Sequence, residues 1–338
     1  MPIQSTIFGL SGPRLTETET AFFRDVNPWA FILFARNIKT PEQVKSLITD
    51  IRTCVGRNAL IFIDQEGGRV QRLRPPHWTN YRPAGDFAAL FNDNPTLAKR
   101  GVFLTMRLIA DDLRRLGITA NCAPVLDIPV PGADDIISDR AYGNDPKSVI
   151  PLAHAAMAGL ACGGVAPVIK HIPGHGRATV DSHKALPRID TSLQDLELTD
   201  FVPFNAFSDA PMAMTAHAVY TALDPDNPVT TSYKGITDFI RARFGFDGVL
   251  MSDDLDMKAL SGDLTKLTQD CLSAGCDVAL QCSGVFADMI KIAKGAKALT
   301  GASLIRTQLA ELYVDTPEIF DRDAAEAELD AMFAKGFA

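Results

Sequence analysis

Short apolar runs that favour β-strands alternate with helical patterns along almost the whole chain. This alternation is typical of repeated βα units, which place their strands in a parallel sheet. Eight strands are predicted, over residues 6–10, 30–34, 59–64, 119–126, 165–171, 212–217, 249–253 and 277–282. Because eight strands close a (β/α)8 barrel, we predict an α/β fold of the TIM-like type in one domain. The barrel is expected over residues 1–314, with a C-terminal helical tail over residues 315–338 packed on it.

The helical stretches between these strands have recognisable ends. The clearest begins with Thr40 as N-cap and Pro41 in its first turn. A second begins at Asn94 and stops before Gly117, which favours the end of a helix. Further helices are predicted over residues 146–162, 192–207, 232–244, 258–274, 285–299 and 302–313.

Composition excludes several classes of partner. The chain has 338 residues, a formal net charge of -8 and a pI near 5.3. Because proteins that bind nucleic acid cluster Lys and Arg, we expect no nucleic-acid partner. No apolar run is long enough to span a bilayer and the N-terminus lacks a basic segment, so we expect a cytoplasmic protein with no membrane partner. The six cysteines form no Cys-x-x-Cys pair, and we expect no disulfide, no metal site and no cofactor.

Titratable and turn-forming residues are densest in residues 170–183, which read Lys-His-Ile-Pro-Gly-His-Gly-Arg-Ala-Thr-Val-Asp-Ser-His. An apolar run precedes this stretch, and its proline and glycines open a loop. His175 and His183 offer groups that can transfer protons near neutral pH. Asp181 can accept a ring N–H from His183 and so fix the tautomer of that imidazole. The alternative interpretation of Asp-Ser-His is a turn with an exposed histidine.

Polar residues lie at the ends of four of the predicted strands, directly after an apolar run in each. They are Asp64, Lys170 with His171, His217, and the run of Ser252, Asp253 and Asp254. The loops at this end of a (β/α)8 barrel build the active site, so these residues are expected to meet in one pocket. Because strand side chains alternate, at most one of the two adjacent aspartates is expected to face the pocket, and alternation alone does not say which. The alternative is that both ligate a metal or cap the next helix.

A buried carboxylate and a separate proton donor are the groups needed to displace a sugar leaving group with retention of configuration. Four motifs carry such groups: Asp-Gln-Glu-Gly-Gly-Arg-Val-Gln-Arg at 64–72, Lys-His-x-Pro-Gly-His-Gly at 170–176, Asp-Ser-His at 181–183 and Ser-Asp-Asp at 252–254. Together they resemble the bacterial β-N-acetylglucosaminidases of glycoside hydrolase family 3. The chain departs from that pattern at Ile172, where phenylalanine is usual, and at residues 177–180, which read Arg-Ala-Thr-Val.

The resemblance implies a barrel hydrolase that releases terminal N-acetylglucosamine from muropeptides during peptidoglycan recycling. It implies that Asp253 is the nucleophile and that His183 with Asp181 is the acid/base pair. The positions at which the family holds the sugar match Asp64, Arg72, Arg140, Lys170 and His171. The implied partner is a small carbohydrate, an N-acetylglucosaminyl-anhydromuropeptide, and we expect a monomer. From the residues alone, Arg72 could equally pair with Glu66.

Other functions stay open on the sequence. A metal-dependent barrel hydrolase could use the histidines and aspartates as ligands, although such barrels generally open with His-x-His after the first strand, which here reads Ile-Phe-Gly-Leu-Ser at 7–11. A non-catalytic sugar sensor could share the fold, but the presence of Asp253, Asp181 and His183 together favours an enzyme. A family 3 glucosidase or xylosidase would resemble two-domain chains that take a carboxylate acid/base from the second domain, which we do not expect here.

Overall fold

A parallel sheet forms the centre of the computed structural model, which describes residues 2–334. Its strands in chain order are β1 (Gln4–Gly9), β2 (Pro28–Leu33), β3 (Leu60–Ile63), β4 (Ala120–Asn121), β5 (Ala166–Pro167), β6 (Ile169–Ile172), β7 (Met212–Thr215), β8 (Val249–Asp254) and β9 (Val278–Gln281). The outermost members of the sheet, β5 and β6, are two halves of one predicted strand, separated by Val168. A parallel bridge between Val125 and Lys170 brings the two edges together. The predicted TIM-like barrel in one domain is therefore confirmed.

Helices cover the outer face of the barrel. They are α1 (Glu17–Val26), α2 (Pro41–Val55), α3 (Ala84–Asp93), α4 (Pro95–Leu116), α5 (Pro146–Cys162), α6 (Leu193–Leu198), α7 (Phe201–Ala206), α8 (Leu264–Ala274), α9 (Phe286–Gly295), α10 (Gly301–Glu311) and α11 (Arg322–Phe333), with a π-helix over Lys234–Arg241. The predicted ends of α2 and α4 are confirmed. Thr40 and Asn94 accept backbone N–H bonds at the start of these helices, and Gly117 ends α4 with a φ of 91°.

Several helix predictions are wrong in their bounds. Helices α1 and α3 have no counterpart among the predicted helices. The single helix predicted over 192–207 is two helices, because Thr199 leaves helical geometry at φ -132° and ψ -89°. The helix predicted over 258–274 begins only at Leu264, since Gly262 has a φ of 121° and Asp263 then caps the new helix.

Alternate residues of the strands form the barrel interior. This buried cluster includes Ile7, Ala30, Ile32, Leu60, Phe62, Ala120, Cys122, Ala166, Val168, Met212, Met214, Val249, Met251, Val278 and Leu280. The intervening residues, such as Phe31, Ile61 and Leu250, pack against the helices instead. Asp64, Lys170 and Asp253 each lie two residues after an interior residue, namely Phe62, Val168 and Met251. The period of two in a strand therefore directs these polar side chains to the interior side, above the apolar layers.

The tail beyond residue 314 contains α11, which packs against α4. The Arg322 guanidinium donates to Asp111 at 2.9 Å and to Asp112 at 2.7 Å, while Arg100 pairs with Glu328 at 2.8 Å. The boundary predicted between residues 314 and 315 stays a prediction, and residues 335–338 of the predicted tail lie outside the described residues. Within residues 2–334, every helix is too short or too polar to cross a bilayer.

Candidate active site

A cavity of about 300 Å³ opens at the carboxyl ends of the strands. Seven of the eight residues predicted to act line it: Asp64, Arg72, Arg140, Lys170, His171, His183 and Asp253. The eighth, Asp181, contacts His183 through a hydrogen bond of 2.8 Å. The structure therefore brings together, at one end of the barrel, residues that the sequence separates by up to 189 positions, from Asp64 to Asp253.

A network of five charged side chains forms one side of this cavity. The Lys170 ammonium group lies 2.9 Å from Asp64 Oδ1 and 2.6 Å from Glu66 Oε1. Arg72 donates to Asp64 at 3.1 Å, and Arg140 binds both oxygens of Glu66 at 2.8 and 2.9 Å. The alternative pairing of Arg72 with Glu66 is therefore wrong, because Arg140 and Lys170 occupy that carboxylate. Glu66 is a site residue that the sequence analysis did not assign.

The members of this network hold one another in their charged forms. Burial would raise the pKa of Asp64, but the positive charges of Lys170 and Arg72 outweigh it and hold that pKa far below its usual value. In the same way Arg140 and Lys170 lower the pKa of Glu66 to about 2. Burial would lower the pKa of Lys170, but the two carboxylates raise it above its ordinary value. The site therefore carries fixed charges at neutral pH.

Asp127 orients the two histidines of the Lys-His-x-Pro-Gly-His motif. Its Oδ2 accepts a bond of 2.6 Å from His171 Nδ1, and its Oδ1 accepts the backbone N–H groups of His171 and His175 at 3.1 and 2.7 Å. Burial would raise the pKa of Asp127, but His171 outweighs it and the pKa is lowered. Asp127 directly follows the apolar run that ends the fourth predicted strand, as Asp64 follows the apolar run of the third. The strand-end rule would have found it.

The pKa values of the two adjacent aspartates at the end of β8 shift in opposite directions. Burial would raise the pKa of Asp253, but His217, His171 and the backbone N–H of Asp254 outweigh it and lower that pKa. Asp254 also lines the cavity, so the expectation that only one of the two faces the pocket is wrong. The reason is that the strand register becomes irregular between Met251 and Asp254. Burial, and then the nearby Asp256, raise the pKa of Asp254 well above its usual value. Of the two, Asp253 is the one whose surroundings favour the ionised form.

His217 is not among the residues that line this cavity. It is 1% exposed, and its Nε2 lies 2.9 Å from the Asp254 carbonyl oxygen. Because a carbonyl oxygen only accepts, Nε2 carries the proton and Nδ1 accepts from the Thr230 hydroxyl at 2.7 Å. Burial lowers the pKa of His217, which favours this neutral form. The expectation that His217 joins the other strand-end residues in the pocket is wrong, since its ring holds the backbone of β8 instead.

The Asp-Ser-His segment is a local turn whose histidine borders the cavity. Asp181 Oδ1 accepts both the backbone N–H and the Nδ1 of His183, each at 2.8 Å. The His183 side chain is 64% exposed, whereas that of Asp181 is 13% exposed. Burial would raise the pKa of Asp181, but these bonds from His183 outweigh it and lower that pKa. Both interpretations of the segment apply, since it is a turn with an exposed imidazole and the imidazole also lines the cavity.

Potential metal ligands do not cluster in the part of the chain that the structure describes. Within residues 2–334, no three His, Cys, Asp or Glu side chains lie together in the way that a metal ion requires. All six cysteines are free thiols. Most charged groups on one side of the cavity are instead bonded to one another.

Residues 10–309 match the family model described as glycosyl hydrolase family 3 N terminal domain. The chain belongs to glycosyl hydrolase family 3. A β-hexosaminidase from Alkalilimnicola ehrlichii is 37% identical over 281 residues, which are 82% of this chain and 80% of that protein. One from Bordetella avium is 35% identical over 84% of this chain and 81% of its own length. NagZ from Neisseria gonorrhoeae in complex with N-trifluoroacetyl-D-glucosamine has a TM-score of 0.87 and 30% identity, covering 98% of both chains.

These similarities confirm the predicted family and the predicted enzyme class. The family 3 protein is a glycoside hydrolase of the β-hexosaminidase type. Its relatives are similar to it over most of their own length, so the likeness extends well beyond the motifs. The barrel described above is the fold that it shares with the Neisseria enzyme.

The loop of this family 3 enzyme that bears His183 is fastened at its base. Arg177, the first residue of the segment that departs from the family pattern, donates through Nε to Asp200 at 2.7 Å and through Nη2 to the Thr199 hydroxyl at 3.1 Å. Asp200 is 2% exposed. Gly176, which precedes Arg177, packs tightly as well. A Cβ at this position would lie 1.8 Å from the Ile128 carbonyl oxygen, so no larger residue fits there without a backbone shift. The unusual arginine therefore links the loop to the break between α6 and α7.

Replacing Arg177→Ala should destabilise the enzyme by about 2 kcal/mol, because the buried Asp200 carboxylate would lose its charged donor. The free energy of unfolding from urea titrations measures this loss. Arg115→Ala is the matched control, since Arg115 is 63% exposed and pairs with Asp111 at 3.0 Å on the same helix face. We expect a change below about 0.5 kcal/mol for that variant. Equal losses in the two variants would contradict the anchoring role of Arg177.

Proposed function

We propose that this hydrolase is an exo-acting, retaining β-N-acetylglucosaminidase that releases terminal N-acetylglucosamine from muropeptides. It would work as a monomer in the cytoplasm, in peptidoglycan recycling. One observation carries the proposal: an ionised carboxylate from a strand end, Asp253, and a histidine held by an aspartate, His183 with Asp181, border the same cavity. An N-acylated glucosamine bound by the similar Neisseria NagZ supports the choice of sugar.

Asp253 is proposed as the nucleophile. Its lowered pKa keeps it ionised at neutral pH, and it is a partly buried residue of β8, the strand between β7 and β9. The carboxylate would attack the anomeric carbon as the bond to the leaving oxygen breaks, which gives a glycosyl ester on Asp253. Water would then attack the anomeric carbon from the face that the leaving group vacated, opposite Asp253, and the bond to Asp253 would break. Two inversions at this carbon retain its configuration. The pKa of Asp254 is raised, and its carboxyl group accepts the backbone N–H of Cys282 at 2.9 Å, which suits a supporting role better.

His183 with Asp181 is proposed as the acid/base pair. The carboxylate holds Nδ1, which leaves Nε2 of the exposed ring to meet the substrate. Nε2 would protonate the departing oxygen in the first step and accept a proton from water in the second. The Asp181 carboxylate would stabilise the imidazolium and fix its orientation. This pair takes the place of the second carboxylate that retaining glycosidases commonly use.

The charged network is proposed to hold the terminal sugar. Each oxygen of Asp64 accepts one protein donor, from Lys170 or Arg72, which leaves a lone pair on each for a sugar hydroxyl. His171, oriented by Asp127, would contribute through its other ring nitrogen. Arg140 uses Nε and Nη2 for Glu66 and Nη1 for a backbone carbonyl. We therefore propose that Arg140 acts mainly by fixing Glu66, which in turn fixes Lys170.

The first test of this function is the choice between two aryl glycosides. The enzyme should turn over an aryl N-acetyl-β-glucosaminide with a kcat/KM at least about a hundredfold above that of the aryl β-glucoside. A site that hydrogen-bonds a polar substituent discriminates strongly against an analogue that lacks it. Comparable values of kcat/KM for the two substrates would contradict the proposed sugar.

The second test concerns the nucleophile. Asp253→Ala should reduce kcat by at least about a thousandfold without changing the thermal midpoint of unfolding, because no other ionised carboxylate has its place. Asp254→Asn is the matched control. The amide of asparagine keeps the shape of the side chain and the acceptor for the Cys282 N–H, so the loss of kcat should be much smaller. A mechanism-based fluorosugar should label the peptide on Asp253, and a label on Asp254 would overturn the assignment.

The third test concerns the proton donor. In His183→Ala, kcat/KM should fall far less for an aryl glycoside whose phenol leaves readily than for a disaccharide, because only the poor leaving group needs a proton. Asp181→Ala should show the same trend more weakly. His154→Ala is the control, since His154 is an exposed residue of α5 stacked on Phe207. Equal losses for good and poor leaving groups would mean that His183 binds the sugar and does not donate the proton.

A further inference from the structure

His175 has a buried ring with no partner inside the protein. The residue is 4% exposed and lines the cavity, yet neither Nδ1 nor Nε2 meets a hydrogen-bond partner among residues 2–334. Buried side-chain polar groups nearly always have a partner, because an unpaired group loses its bonds to water without replacement. Unpaired nitrogens at the wall of a binding cavity therefore point to a ligand that supplies the missing bonds.

The backbone, and not the ring, holds His175 in place. Its N–H donates to Asp127 Oδ1 at 2.7 Å, and the following Gly176 packs its backbone against the Ile128 carbonyl group. The Gly176 carbonyl accepts the N–H of Val130 at 3.2 Å, which joins two of the loops at this end of the barrel. The imidazole is thus presented to the cavity by a fixed main chain. Such preorganisation lowers the entropic cost of binding.

The neighbours of His175 are already engaged with one another. Its ring centroid lies 5.7 Å from that of His171, whose Nδ1 bonds to Asp127. Burial, and then the proximity of His171, lower the pKa of His175 to about 4, so the ring is neutral at neutral pH. A neutral imidazole offers one donor and one acceptor. A hydroxyl group both donates and accepts, and a sugar presents several of them side by side.

We propose that His175 is a further substrate-binding residue, whose ring hydrogen-bonds a hydroxyl of the terminal sugar next to the group held by His171. This inference rests on the proposed function, since it assumes that N-acetylglucosamine occupies the cavity. It adds a fixed, uncharged contact to a site in which the other polar side chains are mostly paired charges. Such a contact distinguishes a hydroxyl from a hydrogen atom at one position of the sugar ring.

The test pairs changes in the enzyme with changes in the substrate. The values of kcat/KM are measured for the wild type, His175→Leu and His175→Gln with an aryl N-acetyl-β-glucosaminide and with its analogues deoxygenated at C3, C4 or C6. His175→Leu should lower kcat/KM for the parent glycoside by about 10- to 100-fold, the loss typical of one buried hydrogen bond. For the analogue that lacks the partner hydroxyl, the same replacement should cost less than about threefold. His175→Gln should recover part of the loss, because an amide also offers a donor and an acceptor.

The inference would be overturned if His175→Leu lowered kcat/KM by the same factor for the parent glycoside and for all three analogues. The effects of the replacement and of the missing hydroxyl would then be independent, and His175 would only shape the loop. His154→Leu serves as the control for loss of an imidazole outside the cavity and should behave as the wild type does with every substrate. If the leucine variant does not fold, the comparison of His175→Gln across the analogues decides the question in the same way. A wild type that does not turn over the parent glycoside would overturn the proposed function and this inference together, whereas equal loss factors in an active enzyme overturn the inference alone.

Discussion

The ammonium group of Lys170 is the interaction on which the rest of the site depends. Lys170 is 2% exposed, and a buried cation is stable only when carboxylates and hydrogen bonds replace the water that it has lost. Asp64 and Glu66 provide that environment, and they draw Arg72 and Arg140 to their remaining oxygens. One buried charge therefore fixes the relative positions of β6 and of the segments that follow β3 and β4. The removal of Lys170 would deprive both carboxylates of the partner that they share.

The barrel gives this network its place through the period of the strands. Interior positions alternate with helix-facing positions, so the apolar layers of Leu60 with Phe62 and of Val249 with Met251 are followed, on the same side, by Asp64 and Asp253. The apolar side chains of the barrel interior exclude water on one side of these carboxylates, and loop residues line the rest of the cavity. Charges in such a setting interact more strongly than in water. Asp253 and Asp254 differ in how far this burial is offset, because His217, His171 and a backbone N–H outweigh it at Asp253, whereas Asp256 adds to it at Asp254.

The site contains two histidines of contrasting character on one loop. His175 lies at the base, where Asp127 and the tight packing of Gly176 fix the backbone, and its ring is buried and neutral. His183 lies on an outer turn with most of its ring exposed, held by a single carboxylate. Arg177 stands between them and fastens the chain to Asp200. The proposed roles of the two residues fit this contrast, since a binding residue benefits from a rigid base and a proton-transferring residue must be accessible to the leaving group and then to water.

The sequence by itself determined the barrel, the caps of α2 and α4, and the strand-end residues Asp64, Lys170 and Asp253, because periodicity and capping are local properties of the chain. Only the tertiary structure decided which charges pair. Arg140 and Glu66 are 74 residues apart and Lys170 and Asp64 are 106 apart, so their contacts depend on how whole loops pack. The break between α6 and α7, the position of His217 outside the cavity lining and the raised pKa of Asp254 have the same origin. Each follows from burial and neighbours in space, which no local pattern encodes.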